Sequence, residues 1–339
     1  MIKGAIIGVG KIAQECHLPA FTTKLISSRA KIVAAADVNE ASIRQAEILY
    51  PELRYYSTAK ELYENEELDF VDICTPPAFH YQALQEAIQR GFHIICEKPF
   101  VASSKDAENI YDLIVKSSIT FMPCHQYRYS SVWQTFKGFI EEEKQSGSLY
   151  LQFNVFRTEA DKGLPVLNNV WRINPEVSGG GILSDTGVHY LYLVLWMLGI
   201  PNSVTVRTFN LKDKGHNVED TAAVILEFEK AVAEINLTWA ADRRANTARI
   251  IGPDSSLSYD GKCLLRYENN SSYQIPVDDL SDKSNYIGLY AALFNDFLNC
   301  VEREERQSEM LLEALEVVNL LNLCYISARH KKTIELDVE

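Results

Sequence analysis

Short apolar runs alternate with amphipathic stretches through the first 124 residues. Ile2–Ile7, Lys31–Ala36, Arg54–Tyr56, Phe70–Cys74, His93–Cys96 and Ile119–Met122 read as strands. The segments between them carry helical spacing over 41–49, up to Tyr63, on to about Arg90, and from Ser103 to Lys116. Ser57-Thr58 and Ser103 are residues that open helices, and Gly91 is one that stops them. Strands alternating with helices on short loops predict a parallel, doubly wound α/β sheet.

Beyond Cys124 the pattern changes. A helix is expected from Ser130 or Ser131 to about Lys144, then a strand over Leu149–Phe156. Further strand-like runs follow at 204–211, 221–228, 231–239, 248–251, 256–259, 263–267 and 273–277. Short turns such as Asp260-Gly261 and Asn269-Asn270 predict a large, mainly antiparallel sheet. An apolar stretch over 183–198 and two more near 286–303 and 308–328 read as helices. The expected organisation is an α/β domain over 1–124 and an α+β domain over 125–339.

Composition narrows the function classes. The formal net charge is −13, and a compact basic cluster such as Arg243-Arg244 is too small for nucleic acid, so no such surface is expected. The seven cysteines are scattered and odd in number, with no Cys-x-x-Cys, which disfavours a disulfide framework or a metal site and fits a cytoplasmic protein. The first strand begins at Ile2, leaving no room for a signal peptide. No apolar run approaches the roughly 18–20 residues of a membrane span, so no membrane partner is expected.

The candidate chemistry lies at strand ends. Gly8-Val9-Gly10-Lys11-Ile12-Ala13 joins the first strand to a helix, the context of a dinucleotide-binding loop. The first glycine permits the turn, the second lets a pyrophosphate approach, and the small third residue lets helix and strand pack. Asp37 ends the second strand. It can accept both ribose hydroxyls and repel a 2′-phosphate, which favours NAD over NADP; its other reading is a cap for the helix starting near Asn39. Thr75-Pro76 follows the fourth strand beside the cofactor groove, and His80 is either part of that groove or a helix residue packed against the loop. Glu97-Lys98-Pro99 ends the fifth strand and leaves Lys98 at the ligand-facing edge. In the second half, three glycines at 179–181 precede Asp185 and His189, four residues apart and therefore on one helix face, as an active-site wall or as a simple capping pair.

Together, Gly8-x-Gly10-x-x-Ala13, Thr75-Pro76-x-x-x-His80, Glu97-Lys98-Pro99 and Gly179-Gly180-Gly181-x-Leu183-x-Asp185-x-Gly187-x-His189 resemble the glucose–fructose oxidoreductase/inositol dehydrogenase (Gfo/Idh/MocA) family over essentially the whole chain. The resemblance implies a Rossmann domain plus a substrate domain, an NAD(P)-dependent oxidoreductase acting on a sugar, cyclitol or related polyol, and a homodimer or homotetramer formed through the second sheet. It puts the catalytic set on Lys98, Asp185 and His189, with a Lys98-Pro99 bond that is often cis in the family. It puts substrate contacts on Gln126 and Arg128, where the family often has Asn-x-Arg, and on Trp171 and Arg172. Arg172 is open to two readings, an anion contact or a structural ion pair. Tyr192 stands where the family often has a second aspartate, so specificity for inositol or simple aldoses does not carry over.

The expected reaction passes a hydride from a hydroxyl-bearing carbon to nicotinamide C4 while a base takes the hydroxyl proton. His189 or Lys98 serves as that base, and Asp185 orients His189 or binds a neighbouring hydroxyl. Amino and nucleotide-linked sugars fall within this reading. Two rivals are an NAD-dependent glycosidase, which releases no net NADH, and a nucleotide-sensing regulator, which needs neither Lys98 nor His189.

Overall fold

The computed structural model describes residues 1–165, 171–212, 215, 217–277, 280, 284–304 and 308–336. The apolar runs of the first half form β1 (Ile2–Ile7), β2 (Ala30–Ala36), β3 (Arg54–Tyr56), β4 (Phe70–Ile73), β5 (His93–Cys96) and β6 (Phe121–Pro123). Their order is β3-β2-β1-β4-β5-β6, and all neighbours are parallel. Every residue of β4 is buried, as a central strand covered on both faces requires. The strand order reverses direction between β1 and β4, and ligands bind such sheets outside the carboxyl ends at that point. The glycine loop, Thr75-Pro76, Glu97-Lys98 and Gln126 all follow carboxyl ends of these strands.

The second sheet comprises β7 (Leu149–Phe156), β8 (Ser203–Phe209), β9 (Thr221–Glu227), β10 (Ala231–Thr238), β11 (Ala245–Ile251), β12 (Ser255–Tyr259), β13 (Leu264–Glu268), β14 (Ser271–Ile275) and β15 (Ile334–Glu335). Its order is β14-β13-β12-β11-β7-β10-β9-β8-β15. The sheet is antiparallel apart from the parallel pair β7/β10, which the local hairpin turns do not announce because β10 pairs with a strand far back in the chain. Residues of β7 and β10 alternate between buried and half-buried. Their buried faces join a core with the helix Val188–Leu198, nine of whose eleven residues are buried. A helix apolar all round needs this kind of enclosure.

The last two helices serve both halves. Ser284–Glu302 packs Tyr290, Phe294 and Phe297 against Phe21, Phe70 and Met122 of the first half. Ser308–His330 sends Leu311, Ala314 and Val318 into the first core and Val317, Leu320 and Leu321 into the second. By length and composition alone, the stretch Glu309–His330 could cross a membrane, contrary to the expectation that no run qualifies. Isolated glutamates at 313 and 316 interrupt the run without spoiling its average. Half of the stretch is buried against the rest of the protein.

Candidate active site

The glycine loop is held from both sides. Gly8 has φ +95°, and a Cβ there would meet the Cys74 carbonyl carbon and the Thr75 nitrogen at 2.9 Å. Only glycine turns the chain here and lets the turns after β1 and β4 touch. A Cβ at Gly10 would meet nothing within 4 Å, so that backbone stands open. Asp37 accepts from the Val9 N–H at 2.8 Å and from the Asn39 N–H at 2.8 Å. Burial raises the pKa of its carboxyl, and these two N–H groups pull it back. The next helix is capped by the Asn39 side chain, which accepts from Ala41 and Ser42, so Asp37 is not the cap.

Thr75 lines the cleft, and its buried Oγ1 has no hydrogen-bond partner. Pro76 accepts from the Phe79 N–H and opens the following turn, while Pro77 rather than Pro76 faces the cleft. Of the two readings of His80, the structure takes the packed one over the cofactor groove. The histidine is fully buried behind the turns, with Nε2 2.6 Å from the Thr75 carbonyl and Nδ1 3.0 Å from the Pro99 carbonyl. Its ring spans the two loops and does not line the cleft. Burial lowers its pKa.

The Lys98-Pro99 bond is cis. Lys98 Nζ donates to the Asp185 backbone carbonyl at 2.7 Å, joining the two halves. Burial lowers the Lys98 pKa, Asp185 and Glu97 oppose that shift, and Arg172 adds to it. The Asp185 carboxylate accepts from Arg172 Nε at 2.9 Å, and the Arg172 guanidinium lies 4.4 Å from the centre of the Trp171 ring. Asp185 therefore does not orient His189. The first turn of this helix, Leu183–Gly187, is π-type, and Arg172 rather than His189 holds the Asp185 carboxylate there.

His189 stacks on Tyr127 with ring centres 4.6 Å apart, and its buried Nδ1 has no partner. Burial drives its pKa well below the ordinary histidine value, and Lys98, His125 and Arg157 push the same way. It is a neutral imidazole at physiological pH.

Gln126 lines the cleft, and its buried Oε1 also lacks a partner. Arg128 does not line it. Residues Gln126–Tyr129 form a 3₁₀ turn, which carries Arg128 about two-thirds of a turn away from Gln126. Its guanidinium lies over Trp196 and 3.5 Å from Glu313. Tyr192 is likewise structural: its hydroxyl accepts from the Tyr127 N–H at 2.8 Å, and its ring stacks on His125. The glycine run makes its close approach inward. A Cβ at Gly180 would collide with the Tyr325 hydroxyl and one at Gly181 with Glu219. Glu219 Oε1 accepts from the N–H groups of Gly181 and Leu183 and from Tyr325, capping the start of the helix.

Glu97 belongs to a buried network. His17 places Nδ1 2.8 Å from Asp72 and Nε2 3.1 Å from Glu97, and Tyr290 donates to Glu97 at 2.6 Å. Burial alone would lower the His17 pKa, but Asp72 and Glu97 outweigh it and raise the value to about 9. Burial would raise Glu97, yet His17, Lys98 and Tyr290 bring it to about 2. Cys74 and Cys124 approach the same ring closely enough for metal coordination to be considered. Both ring nitrogens instead face carboxylates, Asp72 and Glu97, which favour the imidazolium. His17 and Tyr290 escaped the sequence reading. Asp72, a charge within a wholly buried strand, was the available clue.

These groups surround a cleft of about 530 Å³. Lys11, Ile12, Thr75, Glu97 and Lys98 line it from the first half, and Gln126, Trp171, Arg172, Asp185 and His189 from the second. Lys11 bridges the halves through Asp161 at 3.1 Å. Gly8, Gly10 and Asp37 lie in or beside the glycine loop and outside this lining. Residues not anticipated also reach the cleft, among them Arg157, Trp239, Arg244 and Tyr286.

A doubly wound dinucleotide-binding sheet, with a lysine at its ligand edge facing a histidine from a second sheet domain, defines a two-part oxidoreductase architecture. The chain belongs to the GFO/IDH/MocA oxidoreductase family: residues 2–125 match its NAD-binding Rossmann-fold model and residues 148–258 its C-terminal domain model. An uncharacterized oxidoreductase of Schizosaccharomyces pombe is 27% identical over 67% of this chain, and that match spans 60% of the relative. A second S. pombe oxidoreductase is 26% identical over 61% of this chain, with 54% of its own length matched. D-xylose 1-dehydrogenase (NADP(+)) 2 of Haloferax volcanii is 24% identical, with 98% of this chain and 99% of that one covered. The solved structure of levoglucosan dehydrogenase, a complex with NADH and levoglucosan, superposes with a TM-score of 0.85 at 19% identity, covering 99% of this chain and 100% of that one. The loop fits a dinucleotide on its own terms: the open backbone at Gly10 leaves room for a pyrophosphate, and Thr75 Oγ1 is an unsatisfied polar atom beside it.

Proposed function

We propose that the protein is an NAD-dependent dehydrogenase that oxidises a hydroxyl of a sugar, cyclitol or sugar derivative. The reading rests above all on one juxtaposition: Lys98, fastened to the Asp185 carbonyl, shares a cleft with a neutral His189 whose Nδ1 is unpartnered. The names of two relatives that match nearly the whole chain, a D-xylose and a D-apiose dehydrogenase, support the sugar class.

NAD, when bound, supplies a hydride acceptor at nicotinamide C4. The Gly8 turn and the open Gly10 backbone would hold its pyrophosphate. Asp37 would accept from the adenosine ribose and disfavour a 2′-phosphate, the basis for preferring NAD to NADP. Lys98 acts as the base. Burial moves its pKa down toward neutrality and moves that of His189 away from it, and a base works best near the operating pH. The neutral amine donates one N–H to Asp185 and turns its lone pair to the substrate hydroxyl. His189 holds that hydroxyl by a hydrogen bond. Arg172 fixes Asp185, and through it the position of Lys98. Glu97, held by His17 and Tyr290, lines the cleft beside Lys98 and would offer a negative charge to the cationic cofactor.

The test is a panel of polyols, aldoses, amino sugars and nucleotide sugars, each offered with NAD and with NADP, while reduced nicotinamide is followed. Net NADH from a free sugar is expected. Release of an aglycone from a glycoside without net NADH would overturn the reading in favour of the glycosidase. We further propose a homodimer or homotetramer through the open face of the nine-stranded sheet. Its half-buried polar ladder runs through Gln152–Glu234, Asn154–Thr247 and Asn236–Asn154. Light scattering would then give a multiple of the 38.4 kDa chain, and a monomer mass would refute it.

A further inference from the structure

Of the six cations that line the cleft, three form ion pairs. Lys11 meets Asp161, Lys162 meets Glu159 at 2.9 Å, and Arg172 meets Asp185. Lys98 donates to the Asp185 carbonyl beside Glu97. Arg157 and Arg244 form no ion pair with any described residue, although the chain carries 46 acidic side chains against 33 basic ones.

Their placement follows from strand register. Arg157 directly follows β7, and Arg244 directly precedes β11. These strands run antiparallel and their ladder ends with Phe156 opposite Ala245, so Arg157 and Arg244 flank its last pair, and both line the cleft. Arg157 is held in place, its Nη1 donating to the Phe156 carbonyl at 2.9 Å and to Asn246 Oδ1 at 2.6 Å. That leaves Nε and Nη2 without partners among the described residues. Arg244 is exposed at the rim and makes no hydrogen bond with a described residue. Trp239 lines the same wall, and Arg157 is close enough to His189 to disfavour its protonation. Arg172, open in the sequence to an anion contact or a structural ion pair, forms the ion pair with Asp185.

We propose that Arg157 and Arg244 form a subsite for an anionic substituent of the substrate, a carboxylate or a phosphate, so that the enzyme acts on an acidic sugar. The proposal rests on the dehydrogenase reading for its substrate but on the paired arginines for its charge. Guanidinium groups suit such oxyanions because they offer several N–H donors in one plane. The anion would balance the charge of the two side chains and hold the sugar against the wall that carries His189.

The experiment compares glucose, glucuronate and glucose 6-phosphate as substrates with NAD, and measures calorimetric binding of each to wild-type protein, R244M and R157K. NAD binding and thermal melting confirm that the variants are folded. The wild type is expected to favour one of the anionic sugars over glucose, the uronate indicating a carboxylate and the ester a phosphate. R244M should cut that preference ratio by roughly 10–100-fold, the worth of a charge-assisted contact. Added salt should weaken the anionic sugar more than glucose. Equal ratios in wild type and R244M, or no calorimetric binding of either anion while glucose is oxidised, would overturn the subsite and leave the dehydrogenase standing. Anion binding that R244M abolishes, with no sugar oxidised, would keep the subsite and overturn the dehydrogenase.

Discussion

Replacing His17 with glutamine removes the cation between Asp72 and Glu97 and keeps a polar side chain of similar reach. The histidine is wholly buried, with its pKa raised from 6.5 to about 9. That difference corresponds to about 3 kcal/mol of folding free energy. A raised pKa means that the folded state holds the proton more tightly. The contribution is therefore complete below the unfolded value of 6.5 and fades as pH rises through about 9. The depressed Glu97 pKa reports the same ion pair from its other side and is not added to it. At acidic to neutral pH the substitution should cost about 3–5 kcal/mol, because two buried carboxylates lose their counter-charge. Urea unfolding followed by tryptophan fluorescence, in steps from about pH 6 to about pH 9.5, gives the difference between wild type and H17Q. That difference should shrink by about 3 kcal/mol across the range. Parallel stability curves for the two proteins would refute the charged imidazole.

K98M should lower kcat by roughly 10²–10⁴, and the wild-type rate should rise with pH through the lowered lysine pKa, since the amine must be neutral to act. H189N should keep that pH limb, and its disappearance in H189N would transfer the base to the histidine. D37N should raise the KM for NAD and narrow the gap to NADP, measured as the ratio of kcat/KM values; an unchanged ratio would free Asp37 from the ribose assignment. G8A should destabilise by more than about 1 kcal/mol, since it adds a Cβ at positive φ against the Thr75 turn, whereas G10A should melt normally and bind NAD more weakly. Equal melting temperatures for the two would show that the Gly8 contact carries no strain.

The strands of the first sheet were legible because each is a short apolar run closed by a turn residue, and Lys98 stood out because Pro99 ends its strand. His189 was legible as chemistry, but its partner was misassigned. Periodicity puts Asp185 and His189 on one face but says nothing of Arg172, which reaches the Asp185 carboxylate from another segment. Arg128 was misplaced by a 3₁₀ turn, where only an order of residues could be read. Arg157 and Arg244 were invisible as a pair, since the β7–β11 register, which no local pattern encodes, brings them to one end of the two strands. Glu219 lies between strands with no motif around it, and its meaning appears only once Gly181 is packed against it.

The helix Ser284–Glu302 covers Phe70 and Met122 of the first sheet and Phe21 of the helix beside it. During synthesis, the first 124 residues leave the ribosome long before that helix exists. At 5–20 residues per second, the 180 residues between 124 and 304 take about 10–40 s to make. For that interval the nascent Rossmann half presents a bare aromatic face, and Glu97 and His17 wait for Tyr290. A chaperone that holds apolar surface has a defined target and a defined time window on this chain, and both close when the helix arrives.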